Sequence, residues 1–182
     1  MRIRRTLVVL GVAVVAVALL PTAASAHVTL QPGSQPKGAS DVIVGFAIPN
    51  ESTNNASTNK VEIDFPTSTP MLGVNAEAIP GWSAAVEMVQ LAKPITTGDG
   101  QISQAVSKVT WRAVGEGYGP NQYMLFSVLV GTLPSNTNQL VFKALQTYSD
   151  GTVVSWIEPT VKGAPAPEHP TPILKLTKKT SR

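Results

Sequence analysis

The segment LVFKALQTYSDGTVVSW, residues 140–156, contains two runs rich in β-branched and aromatic residues on either side of Asp150-Gly151. That dipeptide is a strong hairpin signal, because a type I′ turn needs positive φ at both central positions. With Asp150 and Gly151 as the loop, Ser149 faces Thr152 and Leu145 stands opposite Trp156; a bulge would shift that register. Trp156 sits beside Val and Ile and is read first as a core aromatic, as are Trp111 in KVTWRA and Trp82 in IPGWS.

The same texture extends in both directions. Further strands are expected at His27–Leu30, Asp41–Ile48, Lys60–Phe65, Trp82–Leu91, Val106–Ala113 and Gln122–Gly131, and the hairpin arms at Gln139–Tyr148 and Thr152–Glu158. Val42, Val44, Phe46 and Ile48 alternate onto one face, as do Val61, Ile63 and Phe65. Turn-forming residues separate the runs at Gln31-Pro32-Gly33, Asn50–Asn59, Ile79-Pro80-Gly81, Thr97–Gly100 and Gly115–Pro120. No long segment has helical periodicity. The expected fold is all-β, an antiparallel β-sandwich of immunoglobulin-like type.

At the N-terminus, Arg2, Arg4 and Arg5 precede an apolar run from Leu7 to Leu20, then Pro21 and the small triplet Ala24-Ser25-Ala26. This is the pattern of a secretory signal peptide, residues 1–26, and the apolar run is short of the roughly 20 residues that span a bilayer. Cleavage after Ala26 makes His27 the first residue of a secreted or cell-envelope protein. The domain then covers 27–160, and 161–182 reads as a proline-rich, basic, flexible tail without a membrane span.

An N-terminal histidine offers two nitrogens on one residue. Its α-amine has a pKa of roughly 8, low enough to yield its proton to a metal, and its imidazole Nδ1 can close a chelate ring with it. Nitrogen donors in tetragonal geometry favour Cu(II). Position alone leaves open that His27 is merely the residue that cleavage leaves first.

Composition narrows the chemistry. The first 26 residues hold three of the fourteen Lys and Arg and none of the eleven Asp and Glu, so the remaining 156 residues carry eleven of each. No basic surface is left to suggest nucleic acid or anionic lipid. Cysteine is absent, which excludes disulfides, thiolate metal sites and a blue-copper centre. GEGYGP, residues 115–120, lacks the spacing and lysine of a phosphate loop. Asn50-Glu51-Ser52 and Asn55-Ala56-Ser57 match the glycosylation sequon, a short and frequent pattern, and are assigned no function. A Ser–His–Asp site would have to use His27 or His169, and neither lies near a nucleophile turn.

AHVTLQP after the signal, IPGW at 79–82, VTWRA at 109–113, NQYMLFSV at 121–128 and LVFKALQTYSDGTVVSW at 140–156 together resemble the YcnI-like family of exported bacterial copper-binding proteins. The resemblance implies a β-sandwich at the cell envelope that binds Cu(II) through a single-histidine brace. It implies that His27 supplies the amine and Nδ1 and that Trp156 stands beside the metal. It also sets Gln122 where the family has a Glu. A neutral amide cannot neutralise Cu(II) as a carboxylate would, so either this chain binds copper more weakly or another group such as Glu116, Glu158 or a water completes the site.

The leading expectation is therefore a non-enzymatic copper-binding protein serving acquisition, delivery or buffering, with a membrane copper transporter or copper chaperone as partner. Two alternatives are a metal-free envelope interaction module and a copper-dependent oxidative enzyme. The latter needs a second ordered histidine, and here only tail residue His169 remains. Met71, Met88 and Met124 are separated by whole strands and read as packing residues.

Overall fold

The computed structural model describes residues 26–98 and 100–178. Of the expected signal peptide, residues 1–25 lie outside the described residues. The hairpin at 140–156 forms, but its loop has three residues. Tyr148 N–H donates to Thr152 O at 2.9 Å and Gly151 N–H to Tyr148 O at 3.0 Å, with Gly151 at φ +86°. A glycine in the left-handed region is what a three-residue loop with a bulge requires. The extra loop residue moves the register by one: Ala144, not Leu145, pairs with Trp156. Because side chains alternate faces, that single step puts Trp156 on the inward face shared by Ala144, Gln146 and Tyr148.

Twelve strands make up the described chain: β1 (Thr29–Gln31), β2 (Ser34–Pro36), β3 (Ser40–Pro49), β4 (Thr58–Asp64), β5 (Leu72–Ala76), β6 (Trp82–Thr97), β7 (Gly100–Ala113), β8 (Tyr123–Thr132), β9 (Gln139–Val141), β10 (Lys143–Tyr148), β11 (Val153–Trp156) and β12 (Ile173–Thr177). They form one sheet in the order β1-β3-β8-β5 and a second in the order β11-β10-β4-β7-β6. The pairings within both sheets are antiparallel. The apolar faces read from the sequence meet between them, where Val44, Phe46, Ile48, Val61 and Ile63 are fully buried. Phe46, Phe65 and Phe142 pack edge-to-face at 5.1 to 6.3 Å, and Phe126 packs on Trp82 at 5.0 Å and Trp111 at 5.5 Å. Trp111 is thus a core residue.

The expected flexible tail is a correction. β12 lies between β2 and β9 in a third small sheet, parallel to the first and antiparallel to the second, with Leu174 and Leu176 buried. Proline content suggested an extended chain, and extended it is; the alternating Leu174 and Leu176 give it an apolar face to bury. Phe142 separates β9 from β10 and donates its N–H to Pro172 O at 2.9 Å, so the C-terminal segment also ties into the main sandwich.

β1 and β11 are edge strands of the two sheets, and their ends meet along one seam. β12 runs past β1, where Lys175 N–H donates to Gly33 O at 3.2 Å. The C-terminal segment therefore straps the seam.

Candidate metal centre

His27 immediately precedes β1, and its ring lies 6.2 Å from that of Trp156 on β11, at 70° between planes. Trp156 is both things the sequence allowed, core residue and site neighbour: it is 2 % exposed and edge-on to the histidine. Its indole Nε1–H donates to Gln146 Oε1 at 3.3 Å. Gln146 is fully buried, and its Nε2 donates to Pro49 O at 2.8 Å and to Thr58 Oγ1 at 2.7 Å. A buried amide is costly unless its donors and acceptor are all used, and here they are. Gln146 thereby fixes the indole to the end of β3, the strand alongside which His27 enters the fold.

The residues after β3 bring a carboxylate to the same place. Asn50 is 2 % exposed; its Nδ2 donates to Ala56 O and to Tyr118 O, both at 2.9 Å, and its Oδ1 accepts from Ser52 N–H at 2.9 Å. With its amide committed on every side, Asn50 is a loop anchor and has no free amide to carry a glycan. The adjacent Glu51 projects outward, and its Oε1 accepts from the backbone N–H of Ala26. Glu51 thus stands one residue from the nitrogen of His27.

Gln122 is exposed. Its backbone carbonyl accepts from Asn50 N–H at 2.8 Å, and its Oε1 already accepts from Gly119 N–H at 3.1 Å. It shares with Ala26 and Glu51 the wall of a hollow of about 510 Å³. Glu116 is exposed in the loop between β7 and β8.

A second hollow, of about 260 Å³, is walled by Glu51, Tyr148, Asp150, Trp156, Glu168 and His169. His169 is held there, half-buried: its ring sits 5.1 Å from Trp156 at 77°, and its backbone N–H donates to Glu158 Oε2 at 3.3 Å. Burial pushes the Tyr148 phenol above its ordinary range, with a hydrogen bond to the Glu51 backbone opposing that shift. Burial pushes the Tyr118 phenol up as well, and its hydroxyl donates to Ile48 O at 2.9 Å. Both tyrosines stay neutral at physiological pH and act as structural hydroxyls.

The donor chemistry fits a copper ion of the Cu(II) type. Around the seam lie imidazole nitrogen, carboxylate oxygen and an indole, without sulfur. Among the described residues no three His, Asp or Glu side chains already converge as a closed cage. A brace needs fewer side chains, since its amine is main chain.

Comparison with known proteins now bears on these residues. Residues 27–176 match the domain of unknown function DUF1775. The chain belongs to that family. DUF1775 begins at His27 and runs through β12, so the C-terminal strap is part of the family domain. The chain is 28 % identical over 133 residues to copper-binding protein CutI of Bacillus subtilis, spanning 73 % of this chain but only 56 % of that relative. It is also similar to an uncharacterised protein from Nocardia farcinica whose crystal structure has an immunoglobulin-like fold: 34 % identity, TM-score 0.66, covering 84 % of this chain and 99 % of that one. The immunoglobulin-like sandwich expected from the strand pattern is the fold of this DUF1775 chain. Among the described residues no helix is long and apolar enough to cross a membrane.

The family resemblance set Trp156 beside His27, and their rings are neighbours here; Glu51 and Gln146 were not singled out, and His169 was read as part of a loose tail. Glu51 was visible only inside a sequon. Gln146 carried a signal, a lone amide within an otherwise apolar alternation. His169 was hidden by the prolines around it.

Proposed function

We propose that the mature chain begins at His27 and carries Cu(II) at the cell envelope, in copper acquisition, delivery or buffering. The observation that supports this best is the meeting of three features: His27 after a signal-peptidase motif, its ring against Trp156, and the Glu51 carboxylate at the adjoining backbone nitrogen. The similarity to a copper-binding relative points the same way.

In this reading His27 grips the metal through its amine and Nδ1. Glu51, not Gln122, supplies the anionic oxygen, because Gln122 Oε1 is already engaged by Gly119 N–H while Glu51 lies beside the terminus. One carboxylate against a dication also satisfies charge better than an amide. Trp156 shields one side and excludes water, and Gln146 holds it in place. Bound copper is cargo here, and the chain's residues hold it without a redox or hydrolytic step. A membrane transporter or a chaperone would be the partner in transfer.

The decisive test is a Cu(II) titration of protein with an authentic His27 terminus beside protein with one Met retained before it. The expected result is one equivalent bound by the first, and binding weaker by at least about a hundredfold in the second, the upper end of what even outer-sphere partners are worth. Equal binding would overturn the brace. Glu51→Gln should weaken binding about tenfold or more, whereas Gln122→Glu should change it little; the opposite pattern would return the role to position 122.

A further inference from the structure

We propose that His169 supplies a second imidazole to the Cu(II) held at His27; this rests on the brace reading above. The family resemblance implies one histidine, and the sequence placed the other in a loose tail. The geometry differs on each point that matters for a ligand.

A ligand must first be ordered, and the residues around His169 are pinned. Glu158 N–H donates to His169 O at 3.0 Å, Thr171 N–H donates to Glu158 O at 2.9 Å, and Glu158 forms a parallel bridge with Pro170. Glu158 lies two residues beyond Trp156, so this clamp ties His169 to the site's own strand. β12 then locks the segment into the fold a few residues later. The ordering entropy that would penalise a mobile tail ligand is already spent in folding.

A ligand must also face the site. Trp156 has an imidazole edge-on at each of two positions, His27 at 6.2 Å and His169 at 5.1 Å. His169 shares its hollow with Glu51, the carboxylate beside the terminus. Finally, its Nδ1 lies 3.9 Å from Glu158 Oε1. That spacing is too long for a hydrogen bond but puts a carboxylate beside the ring, where a small shift on metal binding would make Glu158 the outer partner that metal-binding imidazoles use.

The mobile partner is His27. β1 pairs from Thr29 onward and Val28 is buried in the core, so cleavage after Ala26 leaves His27 alone as the end that can turn toward the clamped ring. The site closes by motion of the terminus against a fixed His169.

Pulsed EPR of the Cu(II)-loaded protein with an authentic His27 terminus counts coordinated imidazoles through their remote nitrogens. Two are expected in the wild type and one in His169→Phe, which keeps an aromatic ring against Trp156 but has no nitrogen. His169→Phe should retain the apo thermal midpoint and lose about tenfold or more in affinity; Glu158→Gln should lose less while keeping two imidazoles. One imidazole in the wild type, or an unchanged spectrum in His169→Phe, overturns the proposal. If His169→Phe unfolds, the wild-type count alone decides. The Met-extended protein separates the two readings: if it binds copper as well as the wild type, the brace fails; if it does not, and the wild type shows one imidazole, only the role of His169 fails.

Discussion

The two outer edges of the sandwich solve the same problem in different ways. At the β1–β11 seam the edges are covered: a C-terminal strap crosses them, a buried amide joins the sheets, and loop residues on both sides use their polar groups internally. At the opposite side β6 is an open edge of 16 residues, paired only with β7, with Val86, Met88 and Val89 exposed and Lys93-Pro94 interrupting it. An edge carrying a charge and a proline resists pairing with another chain without needing a cover. The seam cannot use that device, because it must hold specific side chains at fixed positions. The covered edge is thus the one beside Trp156 and His169.

If that contrast is right, equivalent substitutions should cost stability at the seam and almost none at β6. The sharpest pair is glycine. At Gly117, φ is +83° and an added Cβ would fall 1.9 Å from Thr58 O; Gly98, at the tip of the β6–β7 hairpin, has nothing within 4 Å of that position. Gly117→Ala should lose about 3 kcal/mol or more by denaturant unfolding, combining backbone strain with a clash that separates Thr58 from Tyr118. Gly98→Ala should stay within about 0.5 kcal/mol. A mild Gly117→Ala would show that this side yields as readily as the other.

Next comes glutamine. Gln146→Leu strips partners from Trp156 Nε1, Thr58 Oγ1 and Pro49 O, and should cost about 1–3 kcal/mol. Gln90→Leu on exposed β6 should cost under about 0.5 kcal/mol. Comparable values for the two would mean that the amide network adds nothing beyond packing.

The smallest effect is electrostatic. The backbone N–H of Thr152 holds the exposed Asp150 carboxyl below its ordinary range. A lowered folded value favours the ionised form, so its stabilisation is present above the ordinary carboxylate pKa and fades as pH falls through the folded one. Between about pH 5 and pH 3 the thermal midpoint of Asp150→Asn should fall slightly less than that of the wild type, whose Asp150 loses its advantage over that range. Parallel declines would remove the carboxylate from the loop's stability.

Much of this was legible in the residues. Alternation in β3 and β4 identified the core faces, since a two-residue period has one geometric meaning. What failed was whatever depended on a partner strand. β2 is short and polar, β5 spans only five residues although Leu72, Val74 and Ala76 alternate, and the outer part of the β6–β7 hairpin is largely exposed. The hairpin register missed by one because the loop closes at Tyr148 and Thr152, a choice made by Gly151's conformation and not by the dipeptide's identity. At the candidate site, His27 stood out by following a cleavage motif and Trp156 only through the family resemblance; Glu51 and His169 are ordinary residues until the chain brings them to the seam.

The pairing of β2 with β12 joins residues 34–36 to residues 175–177. Nearly the whole polypeptide must therefore be present before the first strands acquire their last neighbour. As the chain emerges N-terminus first, the β3–β8 and β4–β7–β10 pairings involve residues that precede the strap, and the seam can close only after them. A chain ending short of Ile173 would leave the third sheet without its central strand, so the end of the sandwich where His27 meets Trp156 is the last part that the fold can finish.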